Sequence, residues 1–173
     1  MGLFDVNPKE SLEDLFGRDD ELRDFKKALG LGVRFVVIYG VRRVGKTSFL
    51  RAALKGFRYP HAIVDVREVH SEFGTIGRYH LYRGLVRYFR SNLSFLEGLG
   101  FRLRDFLGRV RGFSVSGLGI EVDAREVPSL TEFLAYLNDW ASEHGTRFVL
   151  AFDEVQYLRY QVLLGLLSYL LGL

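Results

Sequence analysis

The chain contains no cysteine, which excludes disulfides, zinc–thiolate sites and a cysteine nucleophile outright. Asparagine and glutamine are scarce, at three and two residues, and only five of the 24 basic residues are lysine. An arginine-dominated set of this kind, with few amide side chains, resembles a heat-adapted composition. A membrane-length apolar run is also missing. The late apolar stretch VLLGLLSYLLGL, residues 162–173, is shorter than the about 20 residues that a spanning helix needs. It reads as a buried helix, with no membrane association expected. At the other end, MGLFDVNPKESLEDLFGRDDEL puts acids where a signal peptide needs a basic flank and an apolar centre. The expected location is therefore cytoplasmic. His61, His70, His80 and His144 show no metal-ligand spacing, and no Ser-His-Asp arrangement is indicated.

What remains is a folded chain of 173 residues, 48% hydrophobic and 26% charged, long enough for one domain with a substantial core. Without an internal repeat or a low-complexity linker, a single domain over residues 1–173 is the simplest account. The net charge of +3 is small, and the high isoelectric point is a weak pointer to nucleic acid.

Periodicity gives the order of elements. SLEDLFGRDDELRDFKKALG reads as a turn and an amphipathic helix carrying Leu22, Phe25 and Leu29, with Gly30 as its stop. RFVVIY, residues 34–39, is a short β-branched apolar run, the pattern of a strand buried on both faces. KTSFLRAALKGF follows as a helix, and HAIVDVREV, residues 61–69, as a second buried strand interrupted by Asp65. A helix over IGRYHLYRGLVRYFRSNLSFLEGL would place Leu81, Leu85, Phe89 and Leu93 on one face. Residues 112–122 alternate about a glycine-centred turn and suggest a hairpin. Ser129 and Glu132 have capping-box spacing at the head of a further helix, stopped at Gly145. RFVLAFDE, residues 147–154, is a third buried strand ending in two acids. Strands that alternate with helices and are apolar throughout imply a parallel sheet covered on both faces, with ligands at the carboxyl ends of its strands.

Two motifs sit at such ends. Gly40-Val41-Arg42-Arg43-Val44-Gly45-Lys46-Thr47 matches G-x-x-x-x-G-K-[ST] at every fixed position. Gly40 lets the chain turn off the strand, and Gly45 lets the backbone approach phosphate oxygens closely. The loop N–H groups, with that of Ser48, form an anion nest at the positive end of a helix dipole. Lys46 can reach the β- and γ-phosphates, and the Thr47 hydroxyl can ligate Mg2+. A strand–turn–helix that merely used glycines would need neither Lys46 nor Thr47. In FVLAFDEVQYL, Asp153 is placed to hold the metal and Glu154 to orient or deprotonate the attacking water. Acids also favour helix starts, so this pair gains its meaning from the preceding loop. No Asn-Lys-x-Asp motif for reading guanine is present, which makes ATP the expected nucleotide.

LFGRDDELRDF, GVRRVGKTSFL, AIVDVRE and FVLAFDEVQYL, in this order, resemble the archaeal ATPase family of AAA-like, STAND-related P-loop proteins. The resemblance covers essentially the whole chain. It implies a three-layer α/β sandwich with a mainly parallel sheet, ATP and magnesium as cofactors, and Lys46, Asp153 and Glu154 as catalytic residues. It further implies Phe16, Gly17 and Arg18 near the base and ribose, for which helix capping and packing are the alternative. Asp65 matches a family position at the end of the second strand, with no role assigned. Family members continue past the Asp-Glu motif with a sensor strand, a helical lid and usually a winged helix, whereas this sequence stops soon after Glu154. The resemblance therefore implies either a sheet incomplete at the C-terminal end or an altered one in which the phosphate-loop strand and the Asp-Glu strand pair directly, with the final apolar stretch packing over the gap or onto another chain.

Three functions follow as expectations. One is a magnesium-dependent ATPase. Another is an ATP-responsive binding or assembly module with little turnover, meeting a protein partner or its own copy through the apolar C-terminus. The third is nucleic-acid binding through Arg78, Arg83, Arg87 and Arg90, interleaved with Tyr79, Tyr82, Tyr88 and Phe89. A solvated arginine face over a tyrosine-rich core is the plainer account of that helix.

Overall fold

The computed structural model describes residues 15–55, 57–91, 107–116 and 119–171. These fall into two compact units, Met1–Arg58 and Tyr59–Leu173, and each is taken by itself.

In the first unit, α1 (Asp19–Leu31) opens on Asp19, Asp20 and Glu21, acids that suit the positive end of a helix. The helix runs through Gly30 and closes at Gly32, which adopts φ 78° and donates its N–H to the carbonyls of Ala28 and Leu29. The expected stop at Gly30 is thus displaced, because Gly32 supplies the left-handed cap. The second helix, α2 (Lys46–Lys55), buries Phe49, Leu50, Ala52, Ala53 and Leu54. Phe25 and Phe49 meet edge to face with centroids 5.7 Å apart, tying α1 to α2.

The strand expected over residues 34–39 does not form. The segment belongs to no ladder among the described residues, and Phe35, Val36, Val37 and Tyr39 are exposed. A strand exists through inter-strand hydrogen bonds. An apolar run states a preference for burial but supplies no partner.

The second unit is built on β1 (His61–Asp65) and β4 (Val149–Asp153), paired in parallel from His61 opposite Val149 to Asp65 opposite Asp153. The second expected strand therefore ends at Asp65, and residues 66–69 belong to α3 (Val66–Phe73). The physical reason is a cap: the Asp65 carboxylate accepts the Glu68 N–H at 3.0 Å, which starts the helix. Next comes α4 (Arg78–Ser91), with Leu81 and Leu85 buried as expected. Phe89 and Leu93 belong to that expectation, but the side chain of the one and the whole of the other lie outside the described residues. Gly84 lets α4 approach closely, since a Cβ there would stand 3.0 Å from methyl groups of both Val64 and Val69.

The hairpin forms as expected, with β2 (Phe113–Ser116) antiparallel to β3 (Gly119–Val122). Gly112 before it has φ +80°, and a Cβ there would fall 2.7 Å from the Glu126 backbone. The helix α5 (Leu130–Glu143) carries the expected capping box in full, with Ser129 and Glu132 each accepting the other's backbone N–H. These bonds from Ser129 hold the Glu132 carboxyl below the usual range. After β4 and a short 3-10 turn, α6 (Tyr160–Leu171) packs on α5, with Val162 and Leu166 buried and Tyr160 and Leu164 exposed. No helix among the described residues is long and apolar enough to cross a membrane.

Most of the core lies in this unit, where Tyr82, Phe113 and Phe133 pack ring to ring. His61 is the buried polar residue at the start of β1. Burial lowers its pKa, and the Tyr59 carbonyl, 3.3 Å from Nδ1, acts against that shift. The unfolded chain takes up this proton near pH ~6.5, while the folded one resists it. Stability is therefore expected to fall as pH drops below about 6.5, the loss levelling off once pH is below the lowered folded value. Urea midpoints at about pH 7.5 and 5.5 would show this fall, and His61→Gln should flatten the difference between them. An equal fall in the variant would remove His61 as its source.

Candidate functional site

The first unit shapes residues 40–45 into a turn that feeds α2. Arg43 at φ 68° and Gly45 at φ 81° are left-handed, with Val44 of negative φ between them. Alternation of this kind turns successive N–H groups to one side, the backbone of an anion nest. Arginine in that region carries strain of about 1–2 kcal/mol. Gly45 carries none, and the position its Cβ would take is open space. The loop thus leaves room where a ligand must come close to backbone.

Lys46, the first residue of α2, folds its ammonium back over the loop and donates to the carbonyls of Gly40 and Val41, both at 3.0 Å. Across the loop, Arg18 Nη2 donates to the Val44 carbonyl at 2.6 Å. The first turn of α2 holds no acid, as in α4 and α6, whereas α1, α3 and α5 each have at least one. Its positive end is left without an internal counter-charge.

Of the residues expected near base and ribose, Arg18 is thus on the phosphate loop. Gly17 takes φ 66° before α1, and the Phe16 ring is 83% exposed. No signal in the sequence points Arg18 at a carbonyl, because every residue offers one.

The second unit holds the acids. Asp153 ends β4, and its carboxylate accepts the Glu154 N–H at 3.0 Å. Glu154 is left-handed, at φ 56° and ψ 45°. Arg43 and Glu154 are the non-glycine residues of positive φ among those described, one in each motif. The Gln156 amide donates to the Glu154 carboxylate, a contact that the sequence motifs do not single out. In the β1–β4 register Asp65 lies opposite Asp153, so two carboxylates share one end of the sheet, the Asp65 one already capping α3.

The donor set suits ATP with magnesium. The loop offers backbone N–H groups and an ammonium. In the first unit Thr47 contributes a hydroxyl at the head of α2, and in the second Asp153 contributes a carboxylate at the end of β4; each by itself is a hard oxygen donor of the kind Mg2+ takes. Among the described residues no cluster of three His, Cys, Asp or Glu side chains that could hold a metal ion occurs.

The arginine helix is engaged differently. Arg87 pairs with Glu68, at 2.6 Å, and with Glu72. Arg83 lies 3.8 Å from Glu72 and 4.9 Å from the centre of the Phe73 ring. Tyr82, expected among the stacking rings, is fully buried, and its hydroxyl donates toward the Pro128 and Ser129 carbonyls. Burial raises its pKa. Much of the charge on this face is answered from α3.

A glycine-turned loop opening a helix, with an acid-ended parallel strand further along the chain, marks a P-loop nucleotide-binding protein of the α/β class. The family model described as "AAA ATPase domain" matches residues 14–173. Among solved structures, the Walker-type ATPase of Pyrococcus abyssi is similar at 31% identity and a TM-score of 0.65. That match covers 98% of this chain and 44% of the other, so the present chain spans less than half that protein's length. No functionally curated protein matches. The chain belongs to the AAA ATPase domain family, and its fold is the AAA-like P-loop α/β fold with parallel strand pairing.

Proposed function

We propose that the chain binds ATP at Gly40, Val41, Arg42, Arg43, Val44, Gly45, Lys46, Thr47 and Ser48, with Mg2+ on Thr47 and Asp153, and hydrolyses it in the cytoplasm. The observation that carries this reading is the loop: left-handed Arg43 and Gly45, open space at Gly45 and the Lys46 ammonium on the carbonyls of Gly40 and Val41. In this reading the loop N–H groups and Lys46 bind and orient the phosphates, at no cost of reorganisation when charge shifts during transfer. Bound magnesium supplies neutralisation of phosphate charge. Glu154 accepts a hydrogen bond from the attacking water, and Gln156 steadies that carboxylate.

Calorimetric titration with ATP and magnesium tests it. Lys46→Ala is expected to weaken binding at least about 30-fold, since Lys46 makes charge-assisted hydrogen bonds to the phosphates. Well-folded wild-type protein that takes up no ATP would refute the reading.

A second reading, an ATP-responsive assembly module with little turnover, draws on the exposed run Phe35, Val36, Val37 and Tyr39. A contiguous apolar stretch of that kind marks an interaction surface. Binding of ATP without measurable phosphate release would favour it.

A further inference from the structure

Arg18 stands where α1 begins, and that helix is packed on α2. Its carbonyl accepts the Leu22 N–H at 2.9 Å, and its guanidinium lies 3.8 Å from the Glu21 carboxylate. The buried Phe25 packs α1 on Phe49 of α2, the helix that the phosphate loop opens. The guanidinium is thus held at the loop from a neighbouring element, and its contact there is the 2.6 Å bond to the Val44 carbonyl.

That carbonyl belongs to the peptide unit joining Val44 to Gly45. No peptide bond among the described residues is cis, and in a planar trans unit the C=O and the N–H point in opposite directions. Holding the Val44 carbonyl toward Arg18 therefore holds the Gly45 N–H away from it. Glycine is the residue least able to resist a flip of that unit, because positive and negative φ are nearly equivalent to it. The property that lets Gly45 approach a ligand also leaves its peptide plane undetermined. An external bond is needed to choose one orientation.

We propose that Arg18 is a positioning residue for the phosphate loop: through the Val44 carbonyl it fixes the Gly45 N–H in the orientation that donates to phosphate. The inference rests on the nucleotide-binding reading above, and it differs from a contact between Arg18 and base or ribose. Its mark is that Arg18 matters equally for a ligand with no base at all.

The experiment is titration of wild type, Arg18→Ala and Arg18→Lys with ATP and with inorganic tripolyphosphate, both in magnesium, alongside thermal midpoints without ligand. Arg18→Ala is expected to weaken both ligands by the same factor, about tenfold, the worth of one net hydrogen bond. The ligand-free midpoint stays within a degree or two of wild type, since an exposed bond of this kind adds little to stability. Arg18→Lys keeps a donor and recovers part of both affinities. Loss confined to ATP would put Arg18 on the base or ribose and overturn the proposal, as would unchanged affinities. A midpoint lowered together with both affinities would make the bond merely structural and overturn the proposal as well. Wild-type protein that binds ATP but not tripolyphosphate overturns it while leaving ATP binding intact. Failure of wild type to bind either ligand is the separate failure of the nucleotide reading, visible before any variant is made.

Discussion

Phe133→Ala is expected to destabilise the second unit by about 3–5 kcal/mol, a large part of the about 5–15 kcal/mol typical of a folded domain. Phe133 is 1% exposed, and its ring joins three elements. It lies 5.1 Å from Tyr82 of α4 and 5.9 Å from Phe113 of β2, which themselves meet at 5.5 Å. Removing the ring forfeits its transfer free energy, and the cavity cannot collapse easily, because it is walled by side chains from both α4 and the hairpin. The Tyr82 hydroxyl is committed to the carbonyls of Pro128 and Ser129, so α4 cannot slide inward without losing a buried hydrogen bond. Trp140, the single tryptophan of the chain, is buried on the same helix as Phe133, and its fluorescence reports unfolding of this unit. Urea titrations followed at Trp140 should show the midpoint fall sharply for Phe133→Ala and by a far smaller step, about 1 kcal/mol, for Phe133→Leu. A fall below about 1 kcal/mol for the alanine variant would show that the three rings do not form a common core.

How much of this is legible in the sequence depends on how local each signal is. The phosphate-loop motif is legible as a pattern, because its glycines, lysine and threonine lie within one short loop–helix segment. The capping box of α5 is legible for the same reason, both bonds lying within four residues. Asp65 and Glu68 have the spacing of Ser129 and Glu132, yet the valines around them suit a strand as well as a helix. The local cap decides in favour of α3. Residues 34–39 depart from expectation for the opposite reason. Their apolar character is plain, but a strand needs a partner, and partners are set by distant chain, as in the pairing of β1 with β4.

Electrostatics is the least legible. Arg83 and Arg87 read as a free basic face, because Glu68 and Glu72 come opposite them only once α3 has packed on α4. The contact of Arg18 with a backbone carbonyl leaves no mark in the sequence, since any residue carries that acceptor. The left-handed conformation of Glu154 is equally hidden. Glutamate has no preference for it, so the surrounding structure must impose it.

That conformation gives the second large prediction. Glu154→Gln is expected to lower steady-state phosphate release by roughly 10²–10⁴-fold, the usual worth of a positioned general base. ATP affinity should stay within about threefold of wild type, because binding rests on the loop. The substitution preserves size, and its amide oxygen can still accept the hydrogen bond from Gln156, so the loss isolates the charge. Glu154→Gly separates strain from chemistry. It removes the carboxylate and relieves a left-handed backbone that costs a non-glycine residue about 1–2 kcal/mol. If the strain is maintained to aim the carboxylate at water, the glycine variant gains stability by up to that amount and loses turnover together with the glutamine variant. If both variants release phosphate at the wild-type rate, Glu154 is a turn residue and the strain belongs to the end of β4 alone. Wild-type protein that binds ATP with no release for any variant to lower would leave the loop as a sensor of nucleotide, with the exposed run Phe35, Val36, Val37 and Tyr39 as the surface through which binding is read.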